Sequence, residues 1–192
     1  MASQEEDVEF IAPENFSMVE PGVYRSAFPR TKNIEFLRQL KLRSVVSLVP
    51  EDYPTAMADF YKSAGIRLLS HGLDGNKWPF KEIDQEMLQR CLQDVLLPAN
   101  RPLLIHCNKG KHRTGSVVGS LRKIRGWALS SIFTEYLLFA APKSRLEDQL
   151  LIEDFQFDWR RAEREREEAQ IEAHSDVEGQ GGLGMDSEEL GR

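Results

Sequence analysis

Residues 103–115 read LLIHCNKGKHRTG, in which an apolar run precedes a cysteine, five intervening residues, an arginine and a threonine. The apolar run predicts a buried strand that ends at Cys107, and a helix is expected to begin at about Arg113. The intervening loop can direct its backbone N–H groups at one point, to which the helix also directs its positive end. Gly110 and Gly115 are expected to supply the close backbone approach and the unusual dihedral angles that such a loop needs. The stretch therefore predicts a thiol inside an anion-binding loop.

The residue types in this loop suit nucleophilic phosphate chemistry. Arg113, the loop amides and the helix dipole favour the thiolate form of Cys107, and Arg113 offers a fork of donors that fits two phosphate oxygens. Cys107 is predicted to attack phosphorus and to form a cysteinyl-phosphate that water hydrolyses, while the Thr114 hydroxyl donates to the departing sulfur. His106 is expected to be a structural hydrogen-bond partner rather than a base. A buried structural cysteine before a solvated basic turn is the plainer alternative.

Basic side chains surround the loop beyond its arginine. Lys109, Lys111 and His112 lie within it, and Lys77 adds a further charge if its own loop folds over the site. One phosphate is satisfied by the loop amides and Arg113, so the additional cations favour a substrate that carries several phosphates. The alternatives are that the lysines are solvated surface residues and that His112 shapes the loop.

Strand and helix patterns alternate along the chain. The strand patterns cover residues 23–25, 43–49, 66–71 and 103–107. The helical patterns cover residues 33–41, 55–64, 83–97, 113–125 and 129–141, and Ser144 and Glu147 form a capping box that opens another helix. This order favours an α/β fold with a mostly parallel central sheet of about four to five strands and helices on both faces. The reactive loop then lies at the carboxyl end of a central strand, where such sheets bind ligands.

The acidic residues concentrate at the two ends of the chain. The formal net charge is −6, but residues 1–12 hold four acidic and no basic residues, and residues 159–192 hold ten acidic and five basic ones. The remainder, 13–158, has 20 basic and 17 acidic residues and is therefore mildly basic. That balance suits a small polyanionic substrate, and the excess is too small for a nucleic-acid platform.

The same composition predicts three segments. Residues 1–14 are expected to be an acidic disordered N-terminus, and 15–158 to be the catalytic domain. Residues 159–192 begin with mixed charges at helical spacing and end in a glycine-rich acidic stretch, which predicts a charged helical extension and a disordered tail. A solvated helix is favoured there over a nucleic-acid or partner helix.

Cysteine usage and hydropathy indicate the compartment. No apolar run approaches the length of a membrane span, and the N-terminus is acidic, unlike a secretory signal. Cys91 has helical spacing among apolar residues and is expected in the core. Two cysteines, one of them a predicted thiolate, favour a reducing setting, cytoplasmic or also nuclear. No metal or cofactor is predicted, because Arg113, the amides and the lysines supply the positive charge.

Several of these residues also carry a family resemblance. Cys-x5-Arg-Thr resembles the signature of the cysteine-dependent phosphatases, and HCNKGKHRTG at 106–115 is similar to the plant and fungal atypical dual-specificity phosphatases, whose fungal members include inositol-pyrophosphate phosphatases. The resemblance covers roughly 16–155 and implies a dual-specificity-phosphatase-like fold. It continues through Tyr24-Arg25-Ser26, Phe28-Pro29, Gly75-Asn76-Lys77, Pro79-Phe80, Glu135-Tyr136, Phe139-Ala140 and Asp148-Gln149. The residues then expected to contact the substrate are Asn108, Lys109, Gly110, Lys111, His112, Asn76 and Lys77.

The resemblance also implies a proton donor on a separate loop. Asp74 stands 33 residues before Cys107, between two glycines, and is the first candidate; Asp52 is the reserve, and a turn-forming Asp74 is the alternative. A phenol leaving group has a pKa of roughly 10, whereas a phosphate has a second pKa of about 6 and can leave as the anion. A weak general acid therefore favours a pyrophosphate substrate over a phosphoprotein.

Three functions follow from these observations. The leading one is a metal-independent phosphatase that removes the β-phosphate of inositol pyrophosphates. The second is a protein tyrosine or dual-specificity phosphatase, which would depend on Asp74. The third is a catalytically idle phosphate-binding scaffold, which the intact Cys107, Arg113 and Thr114 disfavour. Sulfur transfer also uses a cysteine in a tight loop, but the Arg-Thr ending fits phosphate better.

Overall fold

A computed structural model describes residues 9–73 and 83–180, with side chains as far as residue 171. Three predicted site residues, Asp74, Asn76 and Lys77, lie outside the described residues. The chain divides into two compact units, one that ends at Gln156 and one that begins at Phe157. Within the described residues, no helix is both long enough and apolar enough to cross a bilayer.

The first unit contains a five-stranded sheet in the order β1-β2-β5-β3-β4. The strands are β1 Ser17–Glu20, β2 Val23–Ala27, β3 Ser44–Ser47, β4 Arg67–Ser70 and β5 Leu103–Cys107. Among these described strands, β1 and β2 pair antiparallel and the other neighbours pair parallel. All five residues of β5 are buried, as its apolar sequence predicts for a central strand. Cys107 is the last residue of that strand.

Helices connect the strands and follow them. They are α1 Ile34–Gln39, α2 Thr55–Ser63, α3 Gln85–Leu96, α4 His112–Ile124, α5 Leu129–Ala140, α6 Leu146–Asp154 and, in the second unit, α7 Trp159–Gln180. Two short 3-10 turns cover Thr31–Asn33 and Pro98–Asn100. The predicted α/β fold with a mostly parallel sheet is therefore confirmed.

The core covers both faces of the sheet. On one face Leu37 of α1 and Met57 and Phe60 of α2 pack with Val45 and Leu104 of the strands. Neighbouring strand residues point to opposite faces, and Leu103 and Ile105 are also fully buried. Helix α4 lies against β5 and β2, and α5 and α6 pack on α4. Cys91 of α3 is fully buried as predicted, and burial raises the pKa of its thiol.

The predicted capping box is wrong. Helix α6 begins at Leu146, so Arg145 is the residue before the helix, and its side chain makes no capping hydrogen bond. Its backbone N–H instead donates to the Tyr136 hydroxyl at 3.1 Å. A tertiary contact with α5 thus replaces the local cap that Ser144 would have provided.

Candidate active site

The predicted loop closes on itself between the end of β5 and the start of α4 and forms the floor of a cavity of about 370 Å³. Cys107 lies there with 4% of its surface exposed. The cavity is lined by Cys107, Asn108, Lys109, Lys111, His112, Arg113, Lys143 and Arg145. Six of the predicted site residues are therefore brought together. The reserve acid Asp52 is exposed on the connection after β3.

Contacts on the outer side of the loop hold its shape. The carbonyl of Asn108 accepts from the N–H of Phe28, and that of Lys109 accepts from Nδ2 of Asn15. The carbonyl of Gly110 accepts from Nη2 of Arg25 at 3.0 Å. Three successive carbonyls are thus bonded away from the cavity, which turns the amide side of the loop towards an anion.

The two glycines of the loop stretch act differently. Gly110 has φ +65°, and a Cβ there would lie 2.6 Å from the carbonyl carbon of Ser26, so only glycine fits against β2. Gly110 does not line the cavity in the described structure; it supports the loop by its contact with β2. Gly115 was expected to need an unusual dihedral angle, and this is wrong, because it lies in α4 without a positive φ. A Cβ there would lie 2.9 Å from the ring of Tyr136, so Gly115 allows α5 to pack closely on α4.

Arg113 is held at the rim by backbone carbonyls. Its Nη1 donates to the carbonyl of Leu48 at 2.7 Å and to that of Leu73 at 3.2 Å. Within the described part of the chain, Nε and Nη2 have no such partner, and they carry the remaining N–H donors. The guanidinium therefore links the anion-binding loop to the segments that follow β3 and β4.

Two polar residues with predicted roles near Cys107, His106 and Thr114, are buried. His106 is fully buried, and its Nε2 is bonded to the Tyr53 hydroxyl. Burial lowers the pKa of His106 to about 3, which agrees with a structural role. Thr114 is also buried, and its hydroxyl has no hydrogen-bond partner among the residues described. Its donation to the sulfur during the reaction stays a prediction.

Lys143 and Arg145 line the cavity, and neither was predicted from the sequence. Both lie in the connection between α5 and α6, which the packing of these helices on α4 brings to the loop. Nζ of Lys111 is bonded to the carbonyl of Ala141 at the start of the same connection. The only sequence signal was two bases within four residues after a helix, in Pro142-Lys143-Ser144-Arg145, and such pairs are common on protein surfaces.

Arg25 was also missed as a functional residue. It is 1% exposed, donates to the carbonyl of Gly110 and places its guanidinium 3.8 Å from the centre of the Phe139 ring. Burial lowers the pKa of Arg25 to about 10, while the charge of Glu135 acts in the opposite direction. Arg25 therefore stays cationic at neutral pH and adds a buried positive charge beneath the loop.

A buried carboxyl group stands behind His112. Nδ1 of His112 lies 2.9 Å from Oδ2 of Asp148, and the Tyr136 hydroxyl donates to the same oxygen at 2.6 Å. Asp148 has no exposed surface. Tyr136 and Asp148 belong to the Glu135-Tyr136 and Asp148-Gln149 pairs that carried part of the family resemblance. Two pairs that are distant from the loop in sequence therefore contact a residue of the loop.

The comparison with protein families agrees with this geometry. The model of a family described as "Tyrosine phosphatase family" matches residues 10–173. The chain belongs to this family. The resemblance to its plant and fungal branch, which covers roughly residues 16–155, is confirmed by the relatives in yeast and rice.

Two relatives and one crystal structure show the extent of the similarity. The chain is 50% identical over 151 residues to inositol diphosphatase SIW14 of Saccharomyces cerevisiae, covering 78% of this chain and 54% of that protein. It is 51% identical over 145 residues to inositol diphosphatase DSP1 of Oryza sativa subsp. japonica, covering 76% and 65%. The crystal structure of the core catalytic domain of PP-IP phosphatase SIW14 in complex with citrate matches with a TM-score of 0.74 and 48% identity, covering 77% of this chain and 89% of that chain. The chain thus spans about half the length of the yeast relative.

Proposed function

We propose that this protein is a metal-independent phosphatase that hydrolyses the β-phosphate of inositol pyrophosphates through a cysteinyl-phosphate on Cys107. The observation that carries the proposal is the composition of the cavity: a thiol at its floor, with five lysine and arginine side chains and a histidine around it. The names of the yeast and rice relatives, both inositol diphosphatases, support the same substrate class.

The reaction proceeds in two transfers at one phosphorus atom. The β-phosphoryl group binds to the loop amides and to the guanidinium of Arg113, which places its phosphorus in front of Cys107. The thiolate attacks, the S–P bond forms, and the bond between phosphorus and the bridging oxygen breaks. The inositol phosphate leaves with that oxygen. Water then attacks the cysteinyl-phosphate, which releases phosphate and restores the thiol.

The cations at the mouth of the cavity give the substrate preference. A single phosphate needs only the loop amides and Arg113, whereas Lys143 and Arg145 lie on a separate connection and add charge for other phosphates. A phosphomonoester product leaves as an anion because its second pKa is about 6, so protonation by Asp74 is secondary. A phosphotyrosine residue offers one phosphate and a poorer leaving group.

The competing function is that of a protein tyrosine phosphatase, which the description of the matching family favours. It uses the same cysteine and arginine but requires a proton donor for the phenolate, and Asp74 would then be essential. We also propose a reducing compartment, cytoplasmic or also nuclear, because the proposed nucleophile Cys107 must stay reduced.

The test is metal-free phosphate release from a diphosphoinositol polyphosphate and from a phosphotyrosine peptide. It compares the wild type with Cys107→Ser and Asp74→Asn. We expect strong preference for the diphosphoinositol substrate, loss of its turnover in Cys107→Ser, and a small effect of Asp74→Asn. Preference for the peptide together with inactivity of Asp74→Asn would establish the protein phosphatase instead. Turnover of neither substrate would favour the idle scaffold.

A further inference from the structure

Three side chains connect the cavity wall to the protein interior. Oδ2 of the fully buried Asp148 accepts from the Tyr136 hydroxyl at 2.6 Å and lies 2.9 Å from Nδ1 of His112. The Tyr136 oxygen also accepts the backbone N–H of Arg145 at 3.1 Å. Helices α4, α5 and α6 each supply one of the three side chains. The imidazole is therefore fixed from behind by groups on two other helices.

The buried Asp148 side chain would lower the stability of the fold if its only role were to fill space. Oδ1 of Asp148 is buried and has no hydrogen-bond partner among the described residues. An unpaired buried carboxylate oxygen lowers stability, and an uncharged side chain of similar size would fill the same space. The burial of a carboxyl group at this position therefore indicates a role that needs a strong hydrogen-bond acceptor. In the structure, the carboxyl group holds Nδ1 of His112.

The bond at Nδ1 determines where the other ring nitrogen points. The two nitrogens of an imidazole diverge, so a ring whose Nδ1 faces buried Asp148 directs Nε2 away from the interior. His112 lines the cavity, and 20% of its side chain is exposed. In the imidazolium form, Nδ1–H donates to Asp148 while Nε2–H remains to donate to an anion.

We propose that Asp148 and Tyr136 are positioning residues that fix His112, so that its Nε2–H binds a substrate phosphate other than the one transferred to Cys107. The proposal rests on the proposed function and assigns a residue set to its polyphosphate preference. The transferred phosphate is held by Arg113 and the loop amides, whereas His112 stands on the side of the α5–α6 connection that carries Arg145.

The charged groups around His112 agree with a separate binding site for a second phosphate. On the cavity side, the loop contributes Lys111 and Arg113, and the α5–α6 connection contributes Lys143 and Arg145. On the interior side, the hydrogen-bonding partners of the ring among the described residues are the Asp148 carboxyl and the Tyr136 hydroxyl, the latter 3.4 Å from Nδ1. A bound polyanion therefore meets cations on the cavity side, while the carboxyl group behind the ring holds Nδ1.

The test compares two substrates in wild type, His112→Gln, Asp148→Asn, Tyr136→Phe and the double variant His112→Gln/Asp148→Asn. Asp154→Asn is the matched control, because it makes the same change at an exposed position of α6. The substrates are a diphosphoinositol polyphosphate and p-nitrophenyl phosphate, which carries one phosphate. Loss of a hydrogen bond to a charged group predicts that His112→Gln and Asp148→Asn each raise KM for the diphosphoinositol substrate by about tenfold or more. Tyr136→Phe should raise it by less, and Asp154→Asn should not change it.

For p-nitrophenyl phosphate, the loss in His112→Gln and Asp148→Asn should be several times smaller than for the diphosphoinositol substrate, and Asp154→Asn should match the wild type on both. Urea denaturation shows that each variant is folded. If Asp148 acts through His112, the double variant is no worse than His112→Gln alone. Equal losses on both substrates, or multiplied losses in the double variant, would overturn the inference. If Asp148→Asn does not fold, His112→Gln decides by the same substrate comparison. A wild type that turns over only p-nitrophenyl phosphate would instead overturn the proposed function.

Discussion

Gly110 shows how one residue controls the anion-binding loop. We expect Gly110→Ala to lower kcat/KM by at least about a hundredfold, because a displacement of the loop by about 1 Å is enough for such a loss. It should also cost about 3 kcal/mol of stability, from the left-handed backbone and the clash with β2 together. Enzyme assays and urea denaturation measure both effects.

The matched control is Gly65→Ala. Gly65 has the same φ of +65°, but a Cβ there meets no atom within 4 Å. This variant should lose only about 1 kcal/mol, the cost of the left-handed backbone, and keep its activity. Equal stability losses at the two positions would show that the contact with β2 is unimportant.

His106 predicts how stability depends on pH. Burial lowers the pKa of His106 from 6.5 to about 3, so between these values the unfolded chain binds the proton and the folded protein does not. The contribution to stability is therefore complete above about pH 6.5 and is lost as the pH falls, by up to about 1.4 kcal/mol per pH unit. Urea denaturation of wild type and His106→Gln between pH 4 and 7 should show this additional slope in the wild type. Parallel profiles would contradict the assignment.

Sequence reasoning found the residues that are contiguous in the loop but missed those that folding brings to it. Cys107 through Arg113 form one segment, so their spacing alone predicted a shared cavity. Lys143, Arg145 and Asp148 reach the site through the packing of α5 and α6 on α4, which no local pattern encodes. Arg25 was noted only in a predicted strand and in the family resemblance, and its place beneath the loop was missed because nothing in the sequence shows that β2 is the neighbour of β5.

At the scale of elements, a bidentate ion pair joins α4 to α5. Nε and Nη2 of Arg122 donate to the two carboxylate oxygens of Glu135 at 2.8 and 3.1 Å, and both side chains are largely buried. We expect Glu135→Gln to lower the free energy of unfolding by about 1 to 2 kcal/mol, because a charge-assisted bidentate contact is lost. Urea denaturation provides the measurement.

The control makes the same substitution in a weaker pair. On α1, Nε of Arg38 lies 3.3 Å from Oε1 of Glu35, and about half of each side chain is exposed. Glu35→Gln should change stability by less than about 0.5 kcal/mol. If both substitutions have the same effect, the Arg122–Glu135 pair does not hold the two helices together.

Most elements of the fold were predictable because their hydrophobic periods are clear. The buried strands are short apolar runs and the helices carry apolar residues three and four apart, which fixed their order and the α/β class. Strand β1 was missed because this edge strand has four residues, of which only Val19 is buried. The start of α6 was misplaced because the backbone N–H before it donates to Tyr136 of α5, and no local cap is formed.

For the whole molecule, the charge distribution predicts how salt affects substrate choice. The net charge of −6 is opposite in sign to the cavity, so attraction of a polyanion depends on local cations that salt screens. Raising the ionic strength from about 0.05 to 0.5 M should lower kcat/KM for a diphosphoinositol polyphosphate by about tenfold, and for p-nitrophenyl phosphate by less than about threefold. Steady-state kinetics at a series of salt concentrations would show it. Equal salt effects would mean that the outer cations do not select polyphosphates.

In the proposed mechanism, the β-phosphoryl group of an inositol pyrophosphate passes to Cys107. The most direct test is a single turnover with a diphosphoinositol polyphosphate labelled in its β-phosphate, quenched in acid and digested for mass spectrometry. We predict label on the peptide that contains Cys107, its absence in Cys107→Ser, and an unlabelled inositol phosphate product. Label that goes directly to inorganic phosphate while Cys107→Ser retains activity would contradict the account.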